Sequence, residues 1–123
     1  MNIRLYINYD LSLRGDYKGI YKWLDKNEAK ERGNGYALIE NYNIPESVIS
    51  KSKDIDKDAT IIKYIREDLQ ESVDIKPSDR IYLTFKKLED EKLAGIFLFG
   101  KPQMPPWEGT YNESSEAVID FDL

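Results

Sequence analysis

The chain predicts an α+β fold in which an antiparallel sheet carries two helices on one face. Apolar residues recur at helical spacing from about residues 17 and 59, and three segments with strand character lie at 2–10, 80–86 and 93–100. Helices and strands in this order pack as two layers, with the helices on one side of the sheet. The 123 residues are enough for one domain with a single modest core.

The first strand and helix are the clearest local signals. Apolar and polar residues alternate from about 2 to 10, and this strand ends on Asp10. A short loop follows, and Asp16 is placed to cap a helix that begins at Tyr17. Charged residues fill the outer face of that helix through Arg32, and the glycines of "GNG" at 33–35 supply the positive φ that a helix C-terminus favours.

The middle of the chain predicts two more strands and a second helix. Residues 35–42 read as a strand, and 47–51 as a short strand paired back on it. A helix over about 59–72 ends before Pro77, which forces an extended residue ahead of it. Its predicted buried stripe is formed by Ile61, Ile62, Ile65 and Leu69.

The last part of the chain predicts a hairpin and a tail. Residues 80–86 and 93–100 are joined by a polar turn, and the second of these strands is apolar on both sides. We therefore expect it to be covered on both faces or to lie at a subunit contact. The segment 117–123 alternates and is expected to add an edge strand. Together the elements predict a ferredoxin-like, split βαβ domain over 1–100, with a tail over 101–123 that packs on the domain or on a neighbouring subunit.

The composition excludes several kinds of chemistry. The chain has no cysteine and no histidine, so a disulfide scaffold, a thiolate zinc site, a cysteine nucleophile and an imidazole base are absent. Any metal would be a hard ion such as Mg²⁺ held by oxygen ligands. The net charge of −5 argues against direct nucleic-acid binding and favours a cationic partner surface.

The N-terminal sequence predicts a cytoplasmic protein. "MNIRLYINYD" holds no apolar run of the length that a signal peptide or a membrane span needs. We therefore expect a location in the cytoplasm and no membrane partner.

Asp10 is the residue on which the functional hypotheses diverge. A carboxylate at the end of a strand commonly closes its own loop by accepting backbone amide protons. In the alternative interpretation, the Asp10 carboxylate faces an open site and holds Mg²⁺ with help from Asp16 or from the Asp10 of a second subunit. We favour the loop-closing interpretation, and the metal role is the alternative.

The segment 103–107, "QMPPW", has two alternative interpretations. Its prolines make it stiff and extended, and its aromatic end is suited to a groove on a partner. The other interpretation is a strap in which Trp107 packs over the sheet of its own domain.

Four segments resemble the SinR-like family, which is related to the smaller of the two CRISPR spacer-acquisition subunits. They are "YINYDL", "DYKGIYKWL", "SDRIYLTFKK" and "LAGIFLFG", within about residues 2–100. The resemblance implies a ferredoxin-like fold, often a homodimer across the sheets in which a late strand is contributed to the neighbour. In the CRISPR relatives the aspartate that ends the first strand is linked to divalent metal and nuclease activity, and Asp10 is the matching position. The chain departs from this pattern around 43–56 and from 101 onward.

The favoured hypothesis is a small acidic protein-interaction module that forms a homodimer and has no catalytic activity or cofactor. Its partner would be another protein with a basic, nucleic-acid-binding surface, and it would act as an inhibitor or accessory of a defence or toxin system, in the manner of a phage inhibitor or an immunity protein. The residues predicted to contact the partner are Tyr6, Asp10, Arg14, Tyr17, Trp107 and Tyr111.

Two other functions are compatible with the sequence. A Mg²⁺-dependent nuclease would use Asp10, with Asp16 as a second ligand, to activate water and stabilise the leaving oxygen. An oligomeric scaffold protein would use no small-molecule chemistry at all.

Overall fold

A computed structural model describes residues 1–51, 57–88 and 90–109 and shows an α+β sandwich. Five strands form one antiparallel sheet in the order β2-β3-β1-β4-β5. The elements, in chain order, are β1 (Asn2–Asp10), α1 (Tyr17–Lys26), β2 (Lys30–Gly33), β3 (Tyr36–Asn43), α2 (Glu46–Ser50), α3 (Lys57–Ser72), β4 (Arg80–Lys86) and β5 (Leu93–Phe99).

The ferredoxin-like prediction is confirmed by the order of the strands. β1 lies at the centre and pairs antiparallel with β3 on one side and with β4 on the other. The connection through α1 leads from β1 past β3 to β2, which is the split βαβ arrangement. β5 extends the sheet beyond β4 as a fifth strand.

The core lies between the helices and one face of the sheet. Alternate residues of the central strands point to this face because successive side chains of a strand point to opposite sides. The largest fully buried side chains include Trp23 on α1, Tyr42 on β3 and Phe85 on β4. The predicted stripe of α3 is confirmed at Ile61, Ile65 and Leu69, which are buried; Ile62 is partly buried.

The predicted extent of the first helix is wrong, because α1 ends at Lys26 and 30–33 form the edge strand β2. Charged residues populate a solvated helix face and an exposed edge strand alike, so the sequence pattern does not separate them. Glu28 turns the chain with a positive φ of 55°. Gly35, with φ 74°, serves the β2–β3 hairpin rather than a helix end.

The predicted third strand at 47–51 is also wrong, because Glu46–Ser50 form the short helix α2. Pro45 precedes it with φ −58°, and Glu46 lies in the first turn, where an acidic side chain interacts favourably with the helix dipole. Val48 and Ile49 are half-buried against the core. Five residues are too few to show whether apolar positions recur at strand or helix spacing.

β5 is the edge of the described sheet and is not covered on both faces. Leu93 is 75% exposed and Ile96 is 39% exposed. The alternative of a subunit contact at this strand stays a prediction. The edge strand expected over 117–123 lies outside the described residues.

The segment 101–109 has no helix or strand. Trp107 is 71% exposed, so it does not pack over the sheet as the strap interpretation expects. Among the helices of the described ranges, none has the length and apolar character that crossing a membrane requires.

Candidate functional site

One face of the sheet is left uncovered by the helices and carries a row of aromatic side chains. Directly paired residues of neighbouring strands share a face. Asn8 pairs with Tyr36 of β3 and with Tyr82 of β4, and Tyr82 pairs with Phe97 of β5. Tyr6 belongs to the same face and stacks on Tyr36 at 5.7 Å between ring centroids. We call this surface the open face.

At the β4–β5 side of the open face, aromatic rings and a guanidinium are packed together. The rings of Tyr82 and Phe97 meet edge to face, with centroids 4.8 Å apart. The guanidinium carbon of Arg80 lies 5.4 Å from the centroid of Phe97, within the range of a cation–π interaction. Gly95 is required beneath Tyr82, because a side chain at that position would meet the tyrosine ring.

Asp10 lies at the end of β1, opposite Arg80 of β4. Its side chain is 72% exposed, and Oδ2 is 3.5 Å from Nη1 of Arg80. An exposed single-contact ion pair of this kind adds little to stability. Asp10 therefore contributes little to the stability of the fold, and its carboxylate is accessible from solution.

Two cavities meet at Asp10 and Asn8, which line both of them. The first has a volume of about 240 Å³ and is completed by Arg80, Tyr82 and Phe97. The second has a volume of about 320 Å³ and is lined also by Tyr9, Tyr17, Tyr21, Asn34 and Gly35. The Asp10 carboxylate thus lies between a cavity lined by the Arg80 side chain and a cavity lined by three tyrosines.

The three tyrosines of the second cavity contact one another. Tyr21 meets Tyr9 edge to face at 6.4 Å between ring centroids and Tyr17 at 5.9 Å. Burial raises the pKa of Tyr9, and the neighbouring Tyr21 and Tyr17 and the charge of Glu31 raise it further. Tyr9 therefore stays neutral at physiological pH, and its ring contributes uncharged aromatic surface to the cavity.

The loop after β1 is closed by Asp79, not by Asp10 as the loop-closing interpretation expects. Asp79 is 1% exposed, and its two oxygens accept the backbone N–H groups of Ser12 and Lys76, each at 2.7 Å. Buried charge is retained where it is fully hydrogen-bonded. Asp79 thereby fixes the loop against the start of β4 and leaves Asp10 free of that task.

Asp16 caps α1, as predicted, and also ties it to the chain after α3. Its Oδ1 accepts the N–H of Gly19 and its Oδ2 accepts the N–H of Asp74, both at 2.9 Å. The hydrogen bonds from Asp74 and Gly19 hold the pKa of Asp16 below its usual value. Both oxygens are thus engaged in backbone hydrogen bonds, and a role of Asp16 as second Mg²⁺ ligand stays a prediction.

The acidic residues of the described ranges offer no ready-made cage for a hard cation. In residues 1–51, 57–88 and 90–109, no three acidic side chains cluster in a way that would hold a metal ion. Mg²⁺ needs octahedral oxygen coordination, to which Asp10 of one chain contributes a single carboxylate.

The other predicted contact residues lie at different places. Tyr17 lines the second cavity with Asp10, whereas Tyr6 lies on the open face beside it. Arg14 is exposed in the loop that Asp79 holds, and Trp107 is exposed beyond β5. Tyr111 lies outside the described residues.

Sequence reasoning missed most of the residues around Asp10. These are Asn8, Tyr9, Tyr21, Arg80, Tyr82 and Phe97. For β4 the signal was present, because Arg80, Tyr82 and Thr84 alternate with the buried Ile81 and Leu83. The pairing of β4 with β1 and of β5 with β4 is a tertiary feature that alternation alone does not reveal.

The net negative charge of the chain comes from residues outside the described ranges. Of its 18 Lys and Arg and 23 Asp and Glu residues, 17 and 16 fall in those ranges. The remaining seven acids and one lysine belong to 52–56, 89 and 110–123. The described domain is therefore close to neutral, and its binding preferences depend on local groups.

Comparison with protein-family models, with curated proteins and with solved structures found no match to this chain. The resemblance to the SinR-like family stays a prediction.

Proposed function

We propose that this protein is a non-catalytic interaction module that binds another protein at the end of β1 and on the adjoining open face. The observation that carries the proposal is the exposed Asp10 carboxylate, which lies between two cavities lined by aromatic side chains. Tyrosine and arginine are enriched among the residues that dominate binding energy at protein interfaces. The proposed surface contains residues of both types, including Tyr82 and Arg80.

The charge of the molecule favours a partner with basic residues. Asp10 offers a local carboxylate, and the net charge of −5 attracts a cationic surface over longer distances and speeds the encounter. A basic, nucleic-acid-binding protein, as expected for an inhibitor or accessory of a defence or toxin system, has such a surface.

The site is better suited to docking than to turnover. Catalysis by acid–base chemistry needs groups with tuned proton affinities held close together. The acidic residues near Asp10 are held in backbone hydrogen bonds instead, since Asp16 caps α1 and Asp79 closes the loop. The rings beside Asp10 supply contact area with little loss of side-chain entropy.

Photo-crosslinking tests where the partner binds. The crosslinking amino acid p-benzoylphenylalanine would replace Tyr21 or Tyr82 at the proposed surface and, as a control, Glu67 on the exposed side of α3. We expect a protein adduct from positions 21 and 82 but not from position 67. Adducts only from position 67, or adducts with nucleic acid instead of protein, would contradict the proposal.

A Mg²⁺-dependent nuclease is the second candidate, because Asp10 is exposed and has only Arg80 as an ion-pair partner among the described residues. The test compares the wild type with Asp10→Asn on single- and double-stranded DNA and RNA, with Mg²⁺ or Mn²⁺. We expect no cleavage above the background of a mock purification. Cleavage that the substitution abolishes would make the nuclease the correct function and would refute the non-catalytic proposal.

A further inference from the structure

Arg80 shows how this surface holds a guanidinium group. Its guanidinium lies between the carboxylate of Asp10, at 3.5 Å, and the ring of Phe97, at 5.4 Å from the ring centroid. A carboxylate supplies charge and hydrogen-bond acceptors, and the aromatic face supplies a cation–π contact. The first cavity is thus an arginine site occupied by a side chain of the same protein.

The second cavity repeats these components on the other side of the same carboxylate. It has Asp10 and, in place of one phenylalanine, the rings of Tyr9, Tyr17 and Tyr21. Within the described ranges, no cation lies over any of the three rings, and the ion pair of Asp10 is the one with Arg80 through Oδ2. The charge of Glu31 also acts on Tyr9, which adds a second negative group near the rings.

We propose that the cavity formed by Asp10, Tyr9, Tyr17 and Tyr21 binds an arginine side chain of the partner protein. This inference rests on the proposed function and names the group that the docking surface recognises. The guanidinium would bind Oδ1 of Asp10, while its plane contacts the tyrosine rings.

Arginine fits this cavity better than lysine. A guanidinium is planar, stacks on aromatic faces and gives up its hydration more easily than an ammonium group. The cavity is open to solvent and about 320 Å³ in volume, which accommodates a guanidinium with the end of its side chain. Lys18 and Lys22 are exposed on the same helix as Tyr17 and Tyr21, but neither lysine lines the cavity or lies over one of its rings.

The test titrates the full-length protein with N-acetylargininamide and follows backbone amide resonances by NMR. We expect shifts confined to residues 8–10, 17–21 and 34–35. The neutral isostere N-acetylcitrullinamide should bind at least about fivefold more weakly, because it keeps the shape and loses the charge. The lysine analogue should also bind more weakly. Equal affinity of the citrulline probe, tighter lysine binding, or shifts elsewhere would overturn the proposal.

Substitution of Tyr21 supplies the matched control. Tyr21 is 54% exposed, so Tyr21→Leu removes the ring with little risk to folding, which circular dichroism would verify. We expect about three- to fivefold weaker binding of N-acetylargininamide, as for one exposed cation–π contact. Trp107→Leu removes an exposed ring that lines neither cavity and should leave the affinity for N-acetylargininamide unchanged. An unchanged affinity in Tyr21→Leu would refute the arginine site.

The failure of this inference differs from the failure of the proposed function. If the arginine probe does not bind while positions 21 and 82 still crosslink a protein, only the arginine site is refuted. If Asp10-dependent cleavage of nucleic acid is observed, the interaction module is refuted whatever the probe does.

Discussion

At the scale of single residues, three aspartates near the loop after β1 have three different roles. Asp79 is buried and closes the loop, Asp16 caps α1, and Asp10 is exposed beside Arg80. The sequence predicts the cap correctly, because an acid directly before a helical pattern has few other uses. It assigns the loop contact to Asp10 rather than Asp79, because 67 residues separate Asp79 from its partner Ser12.

Asp16 should make the stability of the protein sensitive to acid. Its pKa is lowered in the folded protein by the hydrogen bonds from Asp74 and Gly19. Its contribution is therefore complete above the ordinary aspartate pKa of about 3.9 and is lost as the pH falls through the lower folded value. We expect Asp16→Asn to be less stable than wild type at pH 7 and to lose less stability between about pH 5 and pH 2.

Urea unfolding at several pH values, followed by circular dichroism, measures this difference. Asp25→Asn, which removes an exposed carboxylate from the same helix, is the control and should unfold in parallel with the wild type across that range. A wild type and an Asp16→Asn variant with the same pH dependence would contradict the assignment.

At the scale of elements, Asp68 joins α3 to α1 and β3. Its Oδ2 accepts the indole N–H of Trp23 at 2.9 Å and the hydroxyl of Tyr42 at 2.6 Å. Burial raises the pKa of Tyr42, and the hydrogen bond to Asp68 raises it further. Trp23 and Tyr42 are both fully buried, so these two donors have no access to water.

Removal of the Asp68 carboxylate should lower the free energy of unfolding more than removal of the Tyr42 hydroxyl does. We expect Asp68→Ala to reduce the free energy of unfolding by about 2–3 kcal/mol, because two buried donors lose their partner. Tyr42→Phe removes one hydrogen bond and should cost about 1 kcal/mol. Chemical denaturation measures both, and a smaller loss for Asp68→Ala than for Tyr42→Phe would contradict this account.

The elements also show how far sequence patterns predict this fold. β1, α3, β4 and β5 were predicted nearly to the residue, because the first three have an apolar pattern of one period and β5 is an apolar run bounded by polar and glycine residues. β2 and α2 were assigned to the wrong type. β2 is an exposed edge of four residues and α2 has five, so tertiary contacts determine their conformation.

At the scale of the whole molecule, charge and aromatic surface are distributed unevenly. The described domain has 17 basic and 16 acidic residues, so the whole excess of acidic residues in the chain comes from the remaining segments. The net charge therefore describes long-range attraction, and the open face and the end of β1 determine what binds there. Composition alone predicts the net charge but not the location of the binding surface.

The central claim is that Asp10 lies in a docking surface. The test is isothermal titration calorimetry with the partner that crosslinking identifies, purified in its unmodified form. It compares Asp10→Ala with Glu67→Ala, since both substitutions remove one exposed carboxylate. The account predicts at least about tenfold weaker binding for Asp10→Ala, as for loss of one member of an interfacial charge pair, and wild-type affinity for Glu67→Ala. Equal affinities of the two variants would contradict it.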